Sequence, residues 1–229
     1  SKVVQSVANA NAFYTTTTFT YAGTDKAIST DILRPASKLI TNDLAYSTTD
    51  YLTANNNLAF AARYAGKLGN SLKVSVCAHP DAYASWPYAI FFDSAPGTSN
   101  YASSAGLSTA NDEMHIVVVD EDGQFSGKAN SVLERFAYVS KASDAKGDDG
   151  ANIYYKDVLY RTSKYVHWLG HPDNAYDASA NAWGQTVASL VDNAVTEFHC
   201  PGAVKNYSLT GGADGKPSTS DYTSAFDPV

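Results

Sequence analysis

The clearest alternation in the chain runs from Leu72 to Cys77. Leu72, Val74 and Val76 are set against Lys73, Ser75 and Cys77, which predicts a half-buried strand. His115 to Asp120 follows a different rule. Ile116, Val117, Val118 and Val119 form an unbroken β-branched run, and such a run predicts a strand buried on both faces. Asp120-Glu121-Asp122-Gly123 is then a turn signal. Val132 to Val139 resumes the alternation, with Val132, Glu134, Phe136 and Tyr138 opposite in sense to Leu133, Arg135, Ala137 and Val139. The two segments read as an antiparallel hairpin.

Other elements are shorter. Leu58 to Tyr64 is an apolar run, and 65–70 is a turn segment. Residues 78–112 are rich in Pro, Ser and Gly around an aromatic island at Trp86, Tyr88, Phe91 and Phe92, and predict a long loop or irregular hairpin. Asn152 is placed to cap a short helix over Ile153 to Arg161, with Tyr154, Tyr155, Val158 and Leu159 on its apolar side. Lys164 to Leu169 reads as a strand ended by Gly170-His171-Pro172. Gln185 to Val195 has helix or strand character, and Asn206 to Leu209 reads as a short strand. Residues 1–57 carry few charges and short strand-like stretches such as Ala12 to Tyr21, in keeping with the end of a β-rich unit. The fold class expected is α+β: a β-rich unit followed by a mixed, mainly antiparallel sheet with a few short helices.

Composition changes this picture little. Charged residues are 17 % of the chain, below the usual level, and Ser, Thr, Ala, Asn and 16 Tyr take their place. The net charge is −7 and no Lys/Arg cluster occurs, which argues against nucleic acid and against an anionic membrane surface as direct partners. No apolar run approaches the length of a membrane span. Cys77 and Cys200 are too few for a disulfide scaffold. Position 1 is Ser, and the helix signal from Ser218 to Phe226 stops three residues before the end at Val229, so the chain is expected to be cut at both ends.

Candidate chemistry is thin. Asp120-x-Asp122-Gly123 resembles the start of a calcium loop, but Lys128 and Ser131 stand where ligands belong, so a turn is expected. Asp144 to Gly150 fails the same test at Lys146 and reads as a solvated loop. His167 and His171 have helical metal spacing but flank a strand end. Cys77-Ala78-His79 and His199-Cys200-Pro201 would form a zinc site only if the fold gathered them, and their separation in sequence argues against it. Gly211-Gly212-x-Asp214-Gly215 lacks the Lys and Ser/Thr pair of a phosphate loop. No nucleophile elbow occurs. The expectation is therefore no catalytic, cofactor-binding or metal residues. Two other readings stand beside it. One is a carbohydrate-binding β-rich module stacking sugars on exposed aromatics, Trp86, Tyr88 and Phe91. The other is a hydrolase with an unfamiliar carboxylate site.

Taken together, four segments resemble contractile tail sheath proteins of T-even-type and related large bacteriophages. The first is Leu58-Ala-Phe-Ala-Ala-Arg-Tyr-Ala-Gly-Lys-Leu-Gly-Asn-Ser-Leu-Lys-Val-Ser-Val-Cys77, which carries Ala65 where many relatives have Pro. The second is Met114 to Asp122 with Val132 to Ser140. The third is Asn152-Ile-Tyr-Tyr-Lys-Asp-Val158 with Tyr165-Val-His-Trp168. The fourth is Tyr207-Ser-Leu-Thr-Gly-Gly-Ala-Asp-Gly215. The resemblance implies a division into 1–57, the end of a variable protruding domain; 58–205, the sheath α+β domain; and 206–229, the start of an inner, tube-facing domain. It implies a virion protein assembled in the host cytoplasm, with other sheath subunits, the tail tube and the baseplate as partners. It also implies that this stretch alone is monomeric or weakly associating.

Overall fold

The computed structural model describes residues 59–64, 66–171, 182–198, 204–210 and 212 in full, and the main chain of three strands nearer the N-terminus. Those three are β1 (Phe13–Tyr14), β2 (Thr18–Tyr21) and β3 (Thr24–Ala27). The others are β4 (Phe60–Ala62), β5 (Leu72–Cys77), β6 (Glu113–Asp120), β7 (Ser131–Ser140), β8 (Val166–Trp168) and β9 (Val204–Thr210). Among the described residues three short α-helices accompany them: α1 (Asn100–Ser104), α2 (Tyr155–Thr162) and α3 (Val187–Asp192). The fold is α+β. Seven strands make one sheet in the order β7-β6-β5-β9-β1-β4-β8, with every neighbouring pair antiparallel, and β2 with β3 forms a separate hairpin.

The β-branched run of β6 is buried from Met114 to Asp120, as the sequence predicts. β5 departs from its prediction. Only Lys73 is partly open, and Ser75 and Cys77 are as buried as Leu72, Val74 and Val76. The reason is a second layer. On one face Leu72, Val74, Val76, Met114, Ile116 and Val118 join Phe60, Tyr155, Leu159, Trp168 and Leu209 in the main core. On the other face Cys77, Val117 and Val119 lie under Ala82 and Trp86. The segment after β5 is thus a folded flap, with 3-10 turns at Pro80–Ser85 and Ala89–Phe91, rather than a loop running free. A third cluster gathers Ala102, Leu107, Ala110, Ala142, Val187, Leu190 and Phe198 where α1 and α3 meet the end of β7.

Two other expectations shift in detail. α2 starts at Tyr155, not Ile153. Asn152 sits outside the helix, where its Oδ1 accepts from Tyr154 N at 2.7 Å and its Nδ2 donates to Asp157 Oδ2 at 2.8 Å. Such a local Asx turn ends the preceding loop instead of capping the helix directly. β9 is longer than the strand expected from Asn206 to Leu209. It runs through the 205/206 division, and it pairs with β5 on one side and β1 on the other, so it lies inside the sheet. β1 likewise brings residues 13–14 into that sheet. The helix signal from Ser218 lies outside the described residues.

Leu209 is fully buried in the main core. Leu209→Ala is expected to lower the unfolding free energy by about 3 kcal/mol. Urea titration checks this; a loss below about 1 kcal/mol is what a peripheral strand would give.

Candidate functional site

The tightest convergence of sequence-distant residues lies around the 3-10 turn Lys67–Ser71, which precedes β5. Gly66 enters it at φ 82°, a backbone state that favours glycine. At the far end Asn70 reaches 142 positions along the chain. Its Oδ1 accepts from Gly212 N at 2.8 Å, and its Nδ2 donates to Gly212 O at 2.9 Å. A Cβ on Gly212 would overlap the carbonyl oxygen of Gly66, so only glycine lets the two backbones meet. The next residue, Ser71, is 1 % exposed and turns the other way. Its Oγ donates to Asp120 Oδ1 at 2.6 Å and accepts from Asp122 N and Gln124 N at 3.2 and 3.3 Å. Its carbonyl accepts from Glu121 N, and Lys73 pairs with Glu121 at 3.0 Å. One turn therefore clamps the end of β9 and the connection between β6 and β7.

Asp120 is the buried anchor of that connection. Its Oδ2 accepts from Phe125 N, Ser126 N and Ser126 Oγ at 2.9, 2.7 and 2.7 Å. Burial by itself would raise its carboxyl, but these donors and Ser71 outweigh that and bring it down to about 2. The calcium-like pattern is thus a turn, as expected. The carboxylate spends its lone pairs on N–H and O–H donors. Ser71 beside Asp120 has the outline of a nucleophile and base, and so does Ser140 Oγ donating to Asp112 Oδ2 at 2.6 Å. Both serines are buried, and Ser71 already accepts two backbone donors, which suits anchoring rather than attack.

The flap is held by a histidine that the sequence reading passed over. His115 Nε2 donates to Ser94 O at 2.8 Å, and Nδ1 accepts from Tyr138 N at 3.1 Å. That pairing fixes a neutral ring, and burial holds its pKa below the ordinary value. Phe92 stacks on it at 4.2 Å. Tyr138 donates sideways because it sits at φ 52° in an irregularity of the β6–β7 ladder, between Met114 and Ile116. Trp86 is 2 % exposed, donates Nε1–H to Ser75 Oγ at 2.9 Å, and is stacked by Phe92 at 5.3 Å. The expected use of Trp86 as a sugar-stacking surface is therefore corrected: its ring packs the flap to the sheet. Tyr88 lies edge-on to Trp86, and Phe91 carries Arg135 over its ring at 6.0 Å.

Lys141 was also missed. It is fully buried, with Nζ donating to Ala78 O at 2.7 Å and to Asn111 O, and lying 5.5 Å from the centre of the Trp183 ring. It ties the flap's origin to the start of β6. No sequence signal marks a lysine whose partners are backbone carbonyls. His167 lies in β8, opposite Ala61, and His171 lies beyond it. Trp168 Nε1 donates to Tyr155 Oη at 2.8 Å, so Tyr155 donates onward to His171 Nδ1 at 2.7 Å. Burial, with Lys156 adding, pushes His171 down to about 4. His167 thus sits within the β8 ladder and His171 is packed against Trp168 and Trp183 beyond it, so the two do not share a helical face. Cys77 donates to His79 O at 3.6 Å, and burial pushes its thiol up to about 11. His199-Cys200-Pro201 and most of the 211–215 loop lie outside the described residues. The 144–150 loop is open to solvent at Lys146 and from Asp148 to Gly150, as expected, while half-buried Asp144 at its start accepts from Val187 N and Tyr101 Oη at 2.9 and 3.1 Å. Among the described residues no group of three or more His, Cys, Asp or Glu could hold a metal ion, and no helix is long and apolar enough to cross a membrane.

No protein family model matches the chain, and no curated protein matches it either.

Three outcomes are expected. Asn70→Ala removes two hydrogen bonds and costs about 1–3 kcal/mol. Gly212→Ala costs more than Asn70→Ala, because backbone must shift; urea titration of both variants ranks them. Asp120 contributes about 2 kcal/mol, present above its ordinary pKa of 3.8 and lost as pH falls towards about 2. Denaturation curves between pH 5 and 2 show that loss, and Asp120→Asn removes that part of the acid dependence.

Proposed function

We propose that the chain is a structural, non-catalytic part of a contractile tail sheath subunit, which polymerises around a tail tube and contracts as a set of nearly rigid bodies. The observation that carries this reading is where the sheath-like segments lie. Leu58 to Cys77 supplies β4, the 3-10 turn and β5. Met114 to Asp122 and Val132 to Ser140 supply β6 and β7. Asn152 to Val158 and Tyr165 to Trp168 supply the start of α2 and β8, and Tyr207 onward supplies most of β9. The residues carrying the resemblance are thus the ones that interlock, above all Gly66, Asn70 and Gly212.

A mechanical role also suits the chemistry. Buried His115 and Lys141 each bind two sequence-distant segments, and buried Ser71 and Asp120 join the turn before β5 to the connection after β6. Such a body transmits load without repacking. The expected partners are other copies of the subunit, a tail tube and a baseplate, and the expected location is the virion.

The intact gene product, concentrated or assembled with a tube, is expected to form hexameric rings or tubes visible by negative-stain electron microscopy. A product that stays monomeric under every assembly condition overturns the proposal.

A further inference from the structure

The flap ends in an apolar projection. Ile90 is 84 % exposed and Phe91 39 %, on the 3-10 turn Ala89–Phe91. Neither belongs to any of the core clusters described above, and Trp86 behind them is anchored to Ser75, so the projection is a rigid one. Elsewhere, between α1 and α3, lies an open concavity of about 270 Å³. Tyr101 and Ala105 form one wall and Val187, Ala188 and Val191 the other, and none of the projection's residues line it. Its size suits an aliphatic side chain with part of a ring beside it.

Charge matches as well as shape. Arg135 stands at the projection, donating to Phe91 O at 3.3 Å with its guanidinium over the Phe91 ring. The concavity is acidic: Asp144 is in its wall and exposed Asp192 is at its edge. Asp93, also exposed, follows the projection by two residues. In a chain of net charge −7, two surfaces meet most easily where one brings a cation.

We propose that the Ile90–Phe91 projection of one copy docks into the Tyr101–Val191 concavity of the next, with Arg135 facing Asp192. In this contact each copy gives its projection to one neighbour and its concavity to another, so it runs head-to-tail and propagates into a ring or filament rather than closing as a two-fold pair. It rests on the assembly reading above and names one of its contacts. An interface of this size is weak alone and becomes effective only when repeated in an array.

The test is sedimentation equilibrium of this chain at rising concentration, up to about 1 mM, where weak contacts register. Wild type is expected to associate reversibly without stopping at a dimer. Ile90→Asp, at a site too exposed to disturb the fold, is expected to weaken association at least about tenfold. Arg135→Asp and Asp192→Arg are each expected to weaken it, and mixing those two variants to restore it, because each then meets an opposite charge. Wild type that stays monomeric throughout, Ile90→Asp that associates like wild type, or mixing that restores nothing overturns the contact. Ile90→Asp placed in the intact gene product separates the two readings. Tubes that form unchanged with it overturn the contact and leave the sheath reading standing. Association that Ile90→Asp abolishes, in a product that never forms tubes, supports the contact and removes the sheath reading.

Discussion

The rest of the structure follows from one constraint: β5 and β6 are buried on both faces. A strand with one wet face can leave its polar side chains to solvent. These two cannot, so every polar atom on the flap side needs a partner from the flap or from a neighbouring strand. Ser75 receives the indole N–H of Trp86, and His115 is bonded at both nitrogens. The strain of Tyr138 at positive φ, of order 1 kcal/mol, is offset by aiming its N–H at that ring. Lys141 obeys the same constraint at the flap's origin, where a buried ammonium is tolerable only because carbonyls surround it.

The turn at Gly66–Ser71 solves a related problem at the sheet's end. A seven-stranded sheet whose neighbours are far apart in sequence needs its register fixed. Asn70 fixes β9 through Gly212, and Ser71 fixes the β6–β7 turn through Asp120. Adjacent residues thus hold two separate connections. A shift of the turn by one position would exchange their directions and lose both.

What the sequence made legible is local. β5, β6 and β7 show in the alternation and in the β-branched run because their side chains face a continuous core. The turn at Asp120 shows because Asp and Gly are turn residues for local reasons. The place of β9 within the sheet does not show, since strand order is set by pairing between residues more than a hundred positions apart. Residues 78–112 look like a long loop or irregular hairpin because the order of their first part comes from rings packing on a surface that the segment does not itself encode. Trp86 illustrates this: an aromatic in a Pro-rich stretch fits a sugar platform equally well until Ser75 is found beneath it. His115 sits at a strand's start with no motif around it, and the partners that give it a role, Ser94 and Tyr138, lie 21 and 23 residues away on opposite sides.

A body locked in this way has little freedom to change shape internally, so any function requiring motion must place that motion between bodies. Strong permanent interfaces would oppose such movement, whereas small contacts repeated many times can hold an array and still exchange cooperatively. An exposed isoleucine on a rigid flap, with a single arginine beside it, is the kind of contact that fits this demand. It buries little in each copy, carries direction through unlike surfaces, and costs little to break once its neighbours have moved.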